Sequence, residues 1–196
     1  MPMSSALETN NSLLIIIRGV PGSGKSYLAQ ALKESIIDNS TVILDPDMID
    51  KNGDDYLASS ESLTAEGIDT KFHPYRYLRA MAYQAISEHK AIIWNQAFND
   101  FNGFSITVER LRTFAVDEGI DLKVLVVEVE VSAEVAKERI ASRAASGGHD
   151  VSSDSLQGFV DQYQSFAGKG FHTVTVNGQD DMRESVKRVQ QALQRL

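Results

Sequence analysis

Residues 19–26 read Gly-Val-Pro-Gly-Ser-Gly-Lys-Ser and satisfy the pattern G-x-x-x-x-G-K-[ST] at every fixed position. The aliphatic run 13–17 before them has the length and branching of a strand buried on both faces. The segment 27–37 after them carries Leu28, Ala31, Leu32 and Ile36 at helical spacing. Strand, glycine-rich turn and helix in this order make a phosphate cradle. Gly19, Gly22 and Gly24 permit backbone conformations that a Cβ hinders, so successive N–H groups can wrap an anion at the positive end of the helix. The residues expected around a nucleoside triphosphate are Gly19, Val20, Pro21, Gly22, Ser23, Gly24, Lys25, Ser26 and Tyr27. Lys25 would reach the β- and γ-phosphates, and the Ser26 hydroxyl would ligate Mg²⁺. An ordinary Gly-Ser turn could carry the same string, but it would not require the flanking strand and helix.

At 196 residues the chain suits one well-packed domain over 13–196, after a flexible tail at 1–12. A net charge of -8 argues against a long nucleic-acid track, although a local basic pocket remains compatible with it. There is no cysteine, which excludes disulfides, thiolate metal sites and a cysteine nucleophile, and fits a reducing compartment. The polar start lacks the pattern of a secretory signal, and the run 13–17 is far below the roughly 20 residues that span a bilayer. A soluble, cytoplasmic protein is expected. His73, His89, His149 and His172 are scattered without metal-ligand spacing.

Strand-like segments recur at 13–17, 41–44, 91–94, 122–127 and 171–176, with helical patterns at 25–37, 74–88, 105–118, 133–145, 153–166 and 181–196. This alternation predicts an α/β fold: a five-stranded, mostly parallel sheet covered on both faces. Two stretches break the rhythm. Residues 50–72, rich in Asp, Ser, Gly and Thr, are expected to form a mobile flap with little core of its own. Residues 139–152, which include Gly147, Gly148, His149 and Asp150, are expected to form a hinged lid. Both should lie beside the phosphate loop, because ligands of open α/β sheets bind outside the carboxyl ends of the strands.

Asp45-Pro46-Asp47 follows the second strand, where side chains emerge near the phosphates. Asp45 could hold Mg²⁺ directly or through water, and Asp47 could accept the proton of an attacking hydroxyl. A proline turn capped by an aspartate would explain the same residues. Arg139 and Arg143, four apart, share a helix face and could clamp a transferring phosphoryl group; a solvated helix paired with surface acids is the alternative.

The loop at 19–26, the strand end Val42-Ile43-Leu44-Asp45-Pro46-Asp47, the two arginines and Gly147-Gly148-His149-Asp150-Val151 together resemble the small P-loop kinases. The resemblance is strongest to the zeta-toxin-like and polynucleotide-kinase-like groups, with an AAA-type ATP-binding domain of the P-loop NTPase superfamily. It spans most of the chain. It implies a three-layer, adenylate-kinase-like architecture, ATP and Mg²⁺ as cofactors, Asp47 as catalytic base and a lid that carries arginines. It further implies γ-phosphate transfer to a hydroxyl of a small molecule, a nucleotide sugar being one acceptor. A polynucleotide 5′-hydroxyl kinase and a slowly hydrolysing ATP switch are the alternatives.

The third strand departs from the pattern. Where P-loop proteins often place an acid near the metal, Ile92-Ile93-Trp94 leads into Asn95. Glu128 and Glu130 could supply the missing acid, although their alternation with Val127, Val129 and Val131 reads more simply as solvent-facing. Lys71, His73, Arg76 and Arg79 form a basic cluster near the expected acceptor side. Tyr75, Tyr77, Phe98 and Phe101 either stack on a substrate or, more simply, fill the core.

Overall fold

The computed structural model describes residues 10–35, 40–145 and 152–196. The strands are β1 (Asn11–Arg18), β2 (Val42–Leu44), β3 (Ile92–Asn95), β4 (Asp121–Glu130) and β5 (His172–Asn177). The helices are α1 (Lys25–Ser35), α2 (Asp54–Ala65), α3 (His73–Ser87), α4 (Phe101–Asp117), α5 (Ala133–Ala145), α6 (Ser153–Gln162) and α7 (Met182–Leu193), with 3₁₀ turns at Pro46–Met48 and Thr70–Phe72. The five strands pair in the order β2-β3-β1-β4-β5, every pair parallel.

The strands sort their side chains between two cores, because successive residues of a strand face opposite sides. Leu14, Ile16, Trp94 and Val126 pack with Leu78 and Ala82 of α3 and Phe104, Val108 and Leu111 of α4. Ile15, Ile17, Ile93, Leu125 and Val127 pack with Leu28 and Leu32 of α1 and Val189 of α7. A third, smaller cluster joins Val20 of the loop after β1 to Ala136 and Ile140 of α5 and Leu156 of α6. With all strands parallel, every carboxyl end and every following loop meets at one edge.

Several boundaries differ from expectation for local reasons. α4 begins at Phe101, four residues early, because the Asp100 carboxylate accepts the Asn102 and Gly103 N–H groups and caps it there. α6 ends at Gln162, and Phe166 turns into the core, its N–H donated to Glu128. Residues 50–72, expected as a flap with little core of its own, contain the helix α2. Only Tyr56 of α2 is buried, meeting Tyr77 edge-on at 5.3 Å, so the helix has almost no apolar periodicity for the sequence to reveal. Residues 36 and 37, the tail at 1–9, and Gly147, Gly148, His149, Asp150 and Val151 lie outside the described residues. Among the described residues no helix is long and apolar enough to cross a membrane.

Candidate active site

The loop from β1 to α1 has the backbone its glycines foreshadow. Gly22 and Gly24 have φ of 81° and 101°, and a Cβ on Gly22 would lie 2.7 Å from the Ala136 carbonyl oxygen. α1 then starts at Lys25, so the first-turn N–H groups, which have no intrahelical partners, face the cradle. The Lys25 ammonium folds back over the loop and donates to the Val20 carbonyl at 3.0 Å. Burial pushes it down from 10.5 to about 8; Asp45 and Asp47 oppose that shift and Arg143 reinforces it. With a pKa near 8 the ammonium is still mostly charged at neutral pH, and a phosphate bound beside it would favour the charged form further.

Asp45 caps the turn that follows it and also accepts a bond from a neighbouring strand. One carboxylate oxygen accepts the Asp47 N–H at 2.9 Å and caps the 3₁₀ turn, so the turn-and-cap reading is correct. The other accepts the Asn95 amide at 2.6 Å, and the same amide nitrogen reaches the Ser26 hydroxyl at 3.0 Å. Ser26, Asp45 and Asn95 therefore meet at the foot of α1. Burial raises the Asp45 carboxyl above its ordinary value, partly offset by the bonds from Asp47 N–H and Asn95. The Asn95 carbonyl oxygen is buried without a partner, as is the Ser23 hydroxyl. Among the described residues there is no cluster of three His, Cys, Asp or Glu. The Ser26 hydroxyl and the Asp45 carboxylate nevertheless fit Mg²⁺, which takes few protein ligands when it also binds substrate phosphates, and the Asn95 amide donates to both of them. Asp47, one turn on, is exposed.

The lid arginines separate. Arg139 leaves solvent and turns onto the back of the phosphate loop, donating to the Gly22 and Ser23 carbonyls at 3.3 Å each and to the Gly178 carbonyl at 2.8 Å. This corrects the expectation of two guanidinium groups aimed at one anion: backbone carbonyls satisfy Arg139 in its place. Arg143 lies close enough to Lys25 to lower its pKa.

Glu128 is neither a metal acid nor solvent-facing. It and Arg18, paired in register across β1 and β4, are both 0 % exposed and ion-paired. Arg18 also donates to the Phe98 and Gln164 carbonyls and lies between the Tyr163 and Phe166 rings, 4.3 and 3.5 Å from their centroids. The Ser165 hydroxyl and Phe166 N–H complete the Glu128 carboxylate. The sequence reading missed Arg18 altogether, and a cation ending a buried aliphatic run was the available signal. Beside this knot a cavity of about 420 Å³ opens between Val20, the start of α5, Tyr163, Asn177 and Gln179. The Tyr163 hydroxyl is buried there without a partner, and burial pushes it up to about 12.

The basic cluster expected at 71–79 thins in the structure. His73 is buried, its Nε2 donating to the Ile68 carbonyl at 2.9 Å and its Nδ1 bonded to the Ser60 hydroxyl at 2.8 Å. Lys71 pairs with Asp69 at the surface. Phe98 and Phe101 pack on the core through Phe104. Phe98 holds a positive φ of 45° while its carbonyl is anchored by Arg18.

The sequence matches the family described as AAA domain over residues 14–166. No curated protein sequence matches. Among solved structures the chain is similar to a gluconokinase from Sinorhizobium meliloti 1021, at 20% identity and a TM-score of 0.58, over 95% of this chain and 93% of that one. It is similar to a sugar kinase from Janibacter sp. HTCC2649, at 16% identity and a TM-score of 0.61, over 94% and 95%. A deoxyadenosine kinase from M. mycoides matches at 16% identity and a TM-score of 0.54, over 93% and 100%. At these identities the likeness concerns the fold.

Proposed function

Because the chain belongs to the AAA-domain family of the P-loop NTPase superfamily, we propose that it is a kinase moving the γ-phosphate of ATP to a hydroxyl of a small molecule. The observation that carries this reading is the convergence of Ser26, Asp45 and Asn95 beneath Lys25, with exposed Asp47 one turn away. Ser26 and Asp45 would hold Mg²⁺, with the Asn95 amide orienting the Asp45 carboxylate, and the ion would supply neutralisation of phosphate charge. Lys25 would exchange the Val20 carbonyl for phosphate oxygens. Arg143 would meet the charge that develops on the transferring group, and Asp47 would orient the acceptor hydroxyl and take its proton. Arg139 is a positioning residue that holds the loop carbonyls outward so that the amides face the anion. The cavity at Tyr163, Asn177 and Gln179 would seat the nucleobase, its orphaned phenol offering a hydrogen bond.

Screening radiolabelled γ-phosphate transfer across nucleotide sugars, sugars, sugar acids, nucleosides and 5′-hydroxyl oligonucleotides tests the proposal. Saturable transfer to a small-molecule hydroxyl is expected. Asn95, which brings no charge to the metal side, favours a second reading: an ATP-dependent switch. In that case Mg·ATP binds, none of these acceptors is phosphorylated, and hydrolysis stays slow.

A further inference from the structure

Three arginines on α3 and α4 carry charge that no acid among the described residues neutralises. Arg76, Arg79 and Tyr83 follow one another at three- and four-residue spacing on α3, and Arg110 precedes Phe114 by one turn on α4. The Tyr83 and Phe114 rings touch, with centroids 4.6 Å apart. Both helices lie on the same face of the sheet and each leads into a parallel strand, so they run in the same direction. One turn toward their N-termini, Arg79 and Arg110 therefore face one another. The electrostatics agree: burial lowers the Arg79 guanidinium, Arg76 and Arg110 lower it further, and only Tyr83 opposes them. Of the acids nearby, Glu109 pairs with Arg112 and Asp69 with Lys71, while Asp117 lies two turns beyond Arg110 toward the carboxyl end of α4. Arg79 is half-buried between the exposed Arg76 and Arg110, so in a protein of net charge -8 the three concentrate positive charge at one place, where an oxyanion would be attracted.

The position suits an acceptor. α3 packs against the Pro46–Met48 turn that carries Asp47. At 1.5 Å per residue, Arg76 and Arg79 lie about 5 and 9 Å along α3 from its first residue. Arg110, about 14 Å along α4, lines a groove of about 630 Å³ between α3 and α4 with Tyr83, Ile106 and Phe114, and the acids Glu109 and Asp117 lie on its α4 side.

We propose that Arg76, Arg79 and Arg110 form the anion-recognising end of the acceptor site, so that the phosphoryl acceptor carries a carboxylate or phosphate group as well as the hydroxyl presented to Asp47. Planar guanidinium forks match either oxyanion. The inference rests on the kinase reading for the identity of the bound molecule as acceptor.

Calorimetric titration of the protein saturated with a non-hydrolysable Mg·ATP analogue tests it, using two matched probe pairs: gluconate against glucose, and deoxyadenosine 5′-monophosphate against deoxyadenosine. In at least one pair the anionic member is expected to bind tenfold or more tightly than its neutral partner. The pair that responds separates carboxylate from phosphate. Arg79→Gln with Arg110→Gln should bring the members of that pair within about twofold while analogue affinity stays unchanged, and Arg79→Lys should restore only part of the preference. Absence of an anionic preference in both pairs, including absence of binding, overturns the proposal, as does a preference that survives the double substitution. The kinase reading has its own readout: if Lys25→Ala binds the analogue as well as the parent does, that reading fails whatever the probe pairs show.

Discussion

Two charged clusters sit a few residues apart at the carboxyl edge of the sheet and differ in one respect. In the Arg18–Glu128 knot, ion pair, carbonyls, ring faces and amide all close on one another. In the Lys25–Asp45–Asn95 cluster, Lys25 is depressed to about 8, Asp45 is raised, and the Asn95 oxygen has no partner. A buried polar group left unsatisfied costs on the order of 1–3 kcal/mol; the second cluster carries that penalty at Asn95 itself, whereas beside the first it falls on the Tyr163 hydroxyl, outside the closed ion pair. The first cluster is closed within the protein, and the second is the one that the kinase reading fills with nucleotide and Mg²⁺. The two are joined, because Arg18 anchors the Phe98 carbonyl in the loop that follows Asn95.

The largest expected effect is on transfer. Asp47→Asn should lower it by about 10² to 10⁴ with Mg·ATP affinity retained, since an amide is a far weaker proton acceptor. Wild-type transfer by this variant, once an acceptor is known, would return Asp47 to the role of a turn residue. Next comes the knot. Glu128→Ala leaves Arg18 buried and unpaired, which costs about 3–5 kcal/mol, and thermal denaturation should show a midpoint lower by roughly 10 °C. Arg18→Met with Glu128→Leu should be much milder. A double variant as unstable as the single one would mean that the knot does more than close on itself.

The arginines come third. Arg143→Ala should reduce turnover by on the order of 10² with a smaller effect on nucleotide affinity. Arg139→Ala should weaken affinity and turnover together, because it releases the loop carbonyls. Steady-state kinetics that show the same split for both would break the distinction between clamp and positioning residue.

The smallest effect is a pH dependence. Below about 8 Lys25 is already protonated, so its contribution to Mg·ATP affinity is flat. Above 8, binding must take up a proton, and affinity should fall by up to about tenfold per pH unit. For stability the sign reverses: a lysine with a lowered folded pKa penalises the fold below 8, and the penalty fades as pH rises toward 10.5. Lys25→Met should therefore stabilise the ligand-free protein at pH 7 and lose that gain by pH 10.5. A destabilised variant would show that Lys25 belongs with the knot.

The parts legible in the sequence were those governed by local backbone demands and strong periodicity. The loop at 19–26 needs glycines where φ is positive, and the run 13–17 could be nothing but a strand covered twice, so the fold class and the Ser26 and Asp45 neighbourhood followed. α2 was illegible because a helix that buries only Tyr56 has no stripe. The fates of the charges were illegible for a different reason. Arg139 on the loop carbonyls, Glu128 under Arg18 and the Asn95 amide bridging Asp45 to Ser26 join residues 39 to 117, 110, and 50 to 69 positions apart. A sequence states which residues carry charge and how neighbours share a face. Whether a charge ends in solvent, in a closed pair or against an empty cradle depends on which distant strand and helix arrive beside it, and that is decided only when the parallel sheet brings its carboxyl ends together.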